Sequence, residues 1–177
     1  MNENKGKGSE NKTMDAKDKK RSINWIGDSI LKNVKPYLLK DKLKKHEKVY
    51  VQSYRGAKTS AMKHHANASK EFENDIYVCS FGTNDLILDD TTDVIGKRII
   101  DVSLQLKEDV NQVFVSSILP RKDNLNEKGT KVNDYLRSRC QDYGLRFIDN
   151  SGVITDKHLN QGGLHLSKVG TKLTIDV

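Results

Sequence analysis

Two cysteines in 177 residues are too few for a disulfide framework, and their settings do not suggest a pair. Cys79 lies in an apolar, strand-like run and Cys140 on the apolar stripe of a helix, where a free thiol behaves as a small buried hydrophobe. Nowhere do about 18 consecutive apolar residues occur, so the sequence offers no membrane span. The opening MNENKGKGSENKTMDAKDKKRS lacks the apolar stretch of a secretory signal, which makes an intracellular setting, cytoplasmic or nuclear, the expectation. There is no internal repeat. Clustered Lys and Arg interleaved with aromatics, the mark of a groove that tracks nucleic acid, are also missing. The nearest candidate, LLKDKLKKHEK, reads as the exposed end of an amphipathic helix.

What is present begins with charge. The formal net charge is +7, but residues 1–21 hold seven Lys/Arg against four Asp/Glu and carry +3 of it. That segment is rich in Lys, Glu, Asn and Gly with almost nothing apolar, too little to offset the entropy of ordering it. It reads as a disordered basic leader or linker, and any nucleic-acid binding is expected through it alone. The remainder, residues 22–177, reads as one domain, expected to be truncated in its last helix because the chain stops at TKLTIDV.

Within that domain short apolar runs alternate with helical patterns. INWIG, KVYVQSY, DIYVCSFG, NQVFVSSIL and LRFID are strand candidates, several nearly continuous in apolar residues as in strands covered on both faces. Ile95, Ile99, Val102 and Leu106 mark one amphipathic helix, and Val132, Leu136, Cys140 and Tyr143 another. A helix is expected from Ser29 to about Leu39 and a shorter one within residues 59–70. The fold class is α/β: a three-layer α/β/α sandwich with a five-stranded parallel sheet, flavodoxin-like, whose ligands bind at the carboxyl ends of the strands.

The polar clusters that could do chemistry all fall at those ends. IGDSIL puts Ser29 where the first strand turns into helix, with its N–H in an anion-attracting first turn. YRGAKTS brings Gly56, whose backbone can approach a substrate closely, and SFGTNDL brings the Asn84 amide. QGGLHLSKVG presents His165 on a glycine-flanked loop. A serine hydroxyl is a poor nucleophile at neutral pH until an imidazole takes its proton. Ser29 is thus the expected nucleophile and His165 its base, with Gly56, Asn84 and the Ser29 N–H as oxyanion donors. Asp28 shapes the turn rather than taking a proton. Taken alone, Ser29 is a helix N-cap, Gly56 and Gly82 are turn glycines, and Asn84 with Asp85 is a turn pair. His64 and His65 point to different faces and make no metal site, while His46 and His158 read as surface residues. Arg121 and Lys122 stand where they could greet an anionic substrate.

GDS, the glycine of RGA, GTND and GLH occur in the order of the SGNH (GDSL-type) hydrolase blocks, and the chain resembles that superfamily across residues 22–175. The resemblance implies Ser29 as nucleophile, His165 as base and Gly56 and Asn84 as oxyanion donors, acting on a small acyl ester without metal or organic cofactor. IGDSILKNVK, ILPRKDNLNEKG and HLNQGGLHLSKVGTKL also resemble esterase-like domains in the first open reading frame of some animal non-LTR retrotransposons. One departure stands out. The family carries an aspartate three residues before the histidine to orient the imidazole, and here that position is Gly162. Asp156 on the same loop is the expected substitute, and a Ser29–His165 dyad is the other option. The alternative function is a degenerate SGNH-fold binding module of a retroelement-derived protein that kept the crevice without the catalysis.

Overall fold

A computed structural model of the chain describes residues 21–40 and 48–176. The expected basic leader, Arg21 excepted, and most of the LLKDKLKKHEK segment lie outside the described residues. Strand and helix alternate: β1 (Ser22–Gly27), α1 (Pro36–Lys40), β2 (Lys48–Ser53), α2 (Thr59–Ser69), β3 (Ile76–Ser80), α3 (Thr92–Lys107), β4 (Gln112–Ser116), α4 (Asn126–Arg139), β5 (Arg146–Ile148) and α5 (Lys168–Asp176). All five strands are parallel, in the order β2-β1-β3-β4-β5. This is the expected α/β/α architecture with the flavodoxin-like strand order.

Two apolar layers explain why the sheet is covered on both sides. On one face Ile26, Tyr77, Cys79, Val113 and Val115 pack against Met62 and Ala66 of α2, Ile95, Ile99 and Leu106 of α3, and Val132 and Leu136 of α4. On the other, Trp25 and Val49 pack against Leu31, Val34 and Leu39, and Leu119 joins Ile30, Ile154 and Leu166. Each fully buried Leu or Ile contributes roughly 1.5–3 kcal/mol, so the long α3, with Ile95, Ile99, Ile100 and Leu106 all buried, anchors the first layer. Thr91 caps it, its hydroxyl accepting from the Val94 N–H at 3.4 Å.

Two helices differ from expectation. The single helix expected from Ser29 is a 3-10 turn (Ser29–Asn33) followed by the separate α1, because Pro36 disfavours helical backbone at Lys35 and fits best as the first residue of a new helix. In the fourth, α4 tightens into a 3-10 turn at Cys140–Tyr143, which rotates Tyr143 off the apolar stripe and leaves it 42% exposed while Cys140 stays buried.

The strand order places the site. From β1 the chain runs outward to β2 and then crosses back to β3, so loops diverge on either side of the β1/β3 boundary and open a crevice there. Gly27 and Ser80 are register partners at that point. A Cβ on Gly27 would lie 2.3 Å from the Ser80 carbonyl oxygen and 2.7 Å from Leu31 Cδ1, so only glycine lets β1 end this close to β3 and turn at once into the next element.

Candidate active site

Four loops at the carboxyl end of the sheet supply the functional side chains. The first follows β1. The Asp28 carboxylate accepts the Ile30 N–H at 3.0 Å, the Asp28 carbonyl accepts the Leu31 N–H at 3.2 Å, and these bonds wind the 3-10 turn that starts at Ser29. Being first in the turn, the Ser29 N–H stands outside the turn's own hydrogen bonds. Ser53 Oγ donates to the Asp28 carbonyl at 2.9 Å and pins the turn to the end of β2. Asp28 itself is fully buried, and burial pushes its carboxyl up to about 6 against the lowering effect of the Ile30 N–H and the more distant Thr83 and Gly82 N–H groups. Only one of its oxygens is bonded; Oδ2 is an orphan, as is Thr83 Oγ1.

The second loop is a turn closed by the Ala57 N–H on the Tyr54 carbonyl at 3.2 Å, with Gly56 at its third position and φ +70°. That conformation requires glycine, and a Cβ there would meet nothing within 4 Å, so the backbone of Gly56 fronts open space. The third loop follows β3, and two of its side chains hold the second in place. Asn84 Nδ2 donates to the Ala57 carbonyl at 3.0 Å. The buried Asp85 carboxylate accepts the Thr59 hydroxyl at 2.7 Å and the Thr59 N–H at 3.0 Å, capping α2 from across the crevice. The two residues read from sequence as a turn pair thus form a clamp, and the part Asp85 plays in it, three residues after the glycine of GTND, is one the sequence reading did not assign.

The fourth loop is a small hairpin, closed by the Asn160 N–H on the His165 carbonyl at 2.7 Å and by an antiparallel bridge between Leu159 and Leu166. It carries the half-buried His165 to the half-buried Ser29, with His165 Nε2 3.0 Å from Ser29 Oγ. Partial burial, and then the charges of Lys32 and Arg55, lower the imidazole below its ordinary range, which keeps it neutral and proton-accepting at pH 7. Among the described residues no carboxylate hydrogen-bonds the imidazole.

Asp156 is not brought to His165. It is exposed on a 3-10 turn (Asp156–His158), and among the described residues its carboxylate makes no hydrogen bond or ion pair. In that turn His158 Nδ1 accepts the Thr155 N–H at 3.0 Å, so His158 is a capping residue. Gly162 leaves room where the orienting acid would stand, since a Cβ there would meet nothing nearer than Asn160 Oδ1 at 3.5 Å. Of the two cations after β4, Arg121 is committed: its guanidinium grips Asp123 and reaches the Thr83 carbonyl at 3.3 Å. His65 stacks on Tyr54 with ring centroids 3.7 Å apart. Among the described residues no cluster of His, Cys, Asp and Glu could hold a metal ion, and no helix is long and apolar enough to cross a membrane.

Residues 25–173 match the model of the GDSL-like lipase/acylhydrolase family. No curated protein gives a sequence match. Among solved structures, a member of the lipolytic protein G-D-S-L family from Veillonella parvula superposes with a TM-score of 0.76 at 15% identity, covering 88% of this chain and 94% of that one. A lipase/acylhydrolase from Enterococcus faecalis gives 0.74 at 21% identity, covering 88% and 92%. An acetyl-xylooligosaccharide esterase mutant from Geobacillus gives 0.71 at 13% identity, covering 88% and 91%. These likenesses concern the fold.

Proposed function

Because the chain belongs to the GDSL-like lipase/acylhydrolase family, we propose that it is a serine ester hydrolase working through a Ser29–His165 dyad. The observation that carries the reading is the 3.0 Å approach of His165 Nε2 to Ser29 Oγ across 136 residues of sequence, at the crevice the strand order creates. Ser29 Oγ attacks the acyl carbonyl while His165 Nε2 takes the hydroxyl proton. The tetrahedral oxyanion rests on the Ser29 and Gly56 N–H groups and on the second Nδ2–H of Asn84, the one the Ala57 carbonyl does not take, each donor worth roughly 3–4 kcal/mol in comparable sites. Collapse of this intermediate breaks the bond to the alkoxy oxygen, and His165 returns the proton to the departing alcohol. A water then attacks the acyl-serine, His165 accepts its proton and passes it to Ser29 Oγ, and the carboxylic acid leaves. No step calls for a metal or an organic cofactor.

The open position at Gly162 favours one other reading, in which the crevice binds an ester or acid without turning it over. Hydrolysis of 4-nitrophenyl acetate by the folded chain and by Ser29→Ala separates the two. Turnover that disappears in the variant, with fluorophosphonate labelling of Ser29 that is lost in His165→Ala, is the expected result. Equal background rates and no labelling would assign the crevice to binding alone.

A further inference from the structure

Lys32 lies three residues after Ser29 on the same 3-10 turn, and in that geometry side chains at this spacing eclipse, so the ammonium rises on the nucleophile's side of the turn. Arg55 is exposed immediately before Gly56, on the lip of the second loop. Lys122 bonds the Gly163 carbonyl through its N–H at 3.0 Å, and its stem lies against Gly163, two residues before His165. Among the described residues none of the three side chains makes an ion pair or a hydrogen bond. The charges acting on His165 are those of Lys32 and Arg55, both of the sign that opposes an imidazolium. The mouth of the crevice is therefore cationic, and among the described residues no carboxylate bonds its base.

We propose that the esters this site turns over carry a negatively charged group that docks between Lys32 and Arg55 and supplies the countercharge the His165 imidazolium lacks. The proposal rests on the serine esterase reading. It makes the substrate a partner in catalysis. A docked anion offsets both cations while the proton is on the imidazole, a stage when charge is worth most in a partly desolvated site. The benefit belongs to the transition state, so it is read in kcat as well as in KM.

Two matched pairs test it with the full chain. One places the charge on the alcohol side, 4-acetoxybenzoate against its methyl ester. The other places it on the acyl side, the mono-4-nitrophenyl ester of adipic acid against 4-nitrophenyl hexanoate. At low salt the charged ester of at least one pair is expected to show kcat/KM about tenfold higher, with part of the gain in kcat. Its kcat is expected to begin falling at a higher pH on the acid limb than for the neutral ester, because the docked anion raises the proton affinity of the imidazole. The preference shrinks at about 0.5 M salt, where screening reaches only a few ångströms. In Lys32→Gln/Arg55→Gln the charged-to-neutral ratio falls to about one, a within-variant ratio that partial misfolding does not move. A wild-type ratio at or below one in both pairs overturns the proposal while leaving the esterase reading intact. Absence of turnover for all four esters, with Ser29 unlabelled by fluorophosphonate, overturns both.

Discussion

The carboxylate of Asp85 holds both the hydroxyl and the N–H of Thr59, at 2.7 and 3.0 Å, and so fastens the loop after β3 to the first residue of α2. Between Thr59 and Gly56 lie only Ala57 and Lys58, and the Ala57 carbonyl is itself held by Asn84. Two adjacent side chains therefore fix the stretch of backbone that carries Gly56, the proposed oxyanion donor.

Removing the clamp should hurt both stability and turnover. In Asp85→Ala the buried Thr59 N–H loses its acceptor, which costs about 1–3 kcal/mol in urea unfolding. We expect kcat to fall at least tenfold with a smaller change in KM, because the loosened loop matters most when the oxyanion forms. Asp85→Asn keeps one acceptor oxygen and should recover part of both. Unchanged kcat in the alanine variant would separate the clamp from the chemistry.

Gly162→Asp tests the empty position before the base. The built Cβ has ordinary clearance, and the orienting acid is worth about 10⁴ in turnover in the serine protease triad, so a rise in kcat/KM of at least tenfold is expected. The pH profile should move with it. His165 lies below its ordinary 6.5, so activity should hold down to pH values under 6.5 and fall only as pH drops through the folded-state value. A neighbouring carboxylate favours the imidazolium and should carry that limb upward in the variant.

Asp156→Ala should leave kcat/KM within about twofold of the parent, since the carboxylate is exposed and unbonded among the described residues. A tenfold loss would place Asp156 back in the catalytic account.

Asp28 predicts an unusual pH dependence of stability. Its folded-state value is raised from 3.8 to about 6, so the native state binds the proton more tightly than the unfolded chain. The associated stabilisation is fully present below pH 3.8 and is lost as pH rises through about 6, by about 3 kcal/mol in the limit. Asp28→Asn retains the cap on Ile30 without a charge to bury, and urea unfolding at pH 8 should find it more stable than the parent, with the difference narrowing at pH 4.5. A variant less stable at pH 8 would mean that the Asp28 anion is better solvated than its burial implies.

The strands and the long helices were legible because their signals are periodic and local: INWIG is apolar but for Asn24, Val113 to Val115 form an unbroken apolar run, and Ile95 to Leu106 repeats at helical steps. The break after Asn33 was written in Pro36 but is outweighed, on a first reading, by the apolar spacing around it. At the site, Ser29 and His165 could be named from their blocks, whereas their partners could not all be. Asp156 is near His165 in sequence and unbonded to it in space, because the hairpin from Leu159 to Leu166 turns the imidazole away toward Ser29. The bonds from Asp85 to Thr59 join residues 26 apart across two loops, and no single-sequence pattern encodes such a pairing.

The close approach of Gly27 to Ser80 gives this protein two unequal ways to change over generations. Any side chain at position 27 pushes β1 off β3 and threatens the whole sheet, so that point is closed to drift whatever the protein does. Ser29, Gly162 and His165 sit on turns whose backbone bonds do not involve their side chains, and exchanges there alter reactivity while the shape survives. A lineage carrying this chain can therefore abandon the proposed chemistry, or regain it, one loop substitution at a time without passing through an unfolded ancestor.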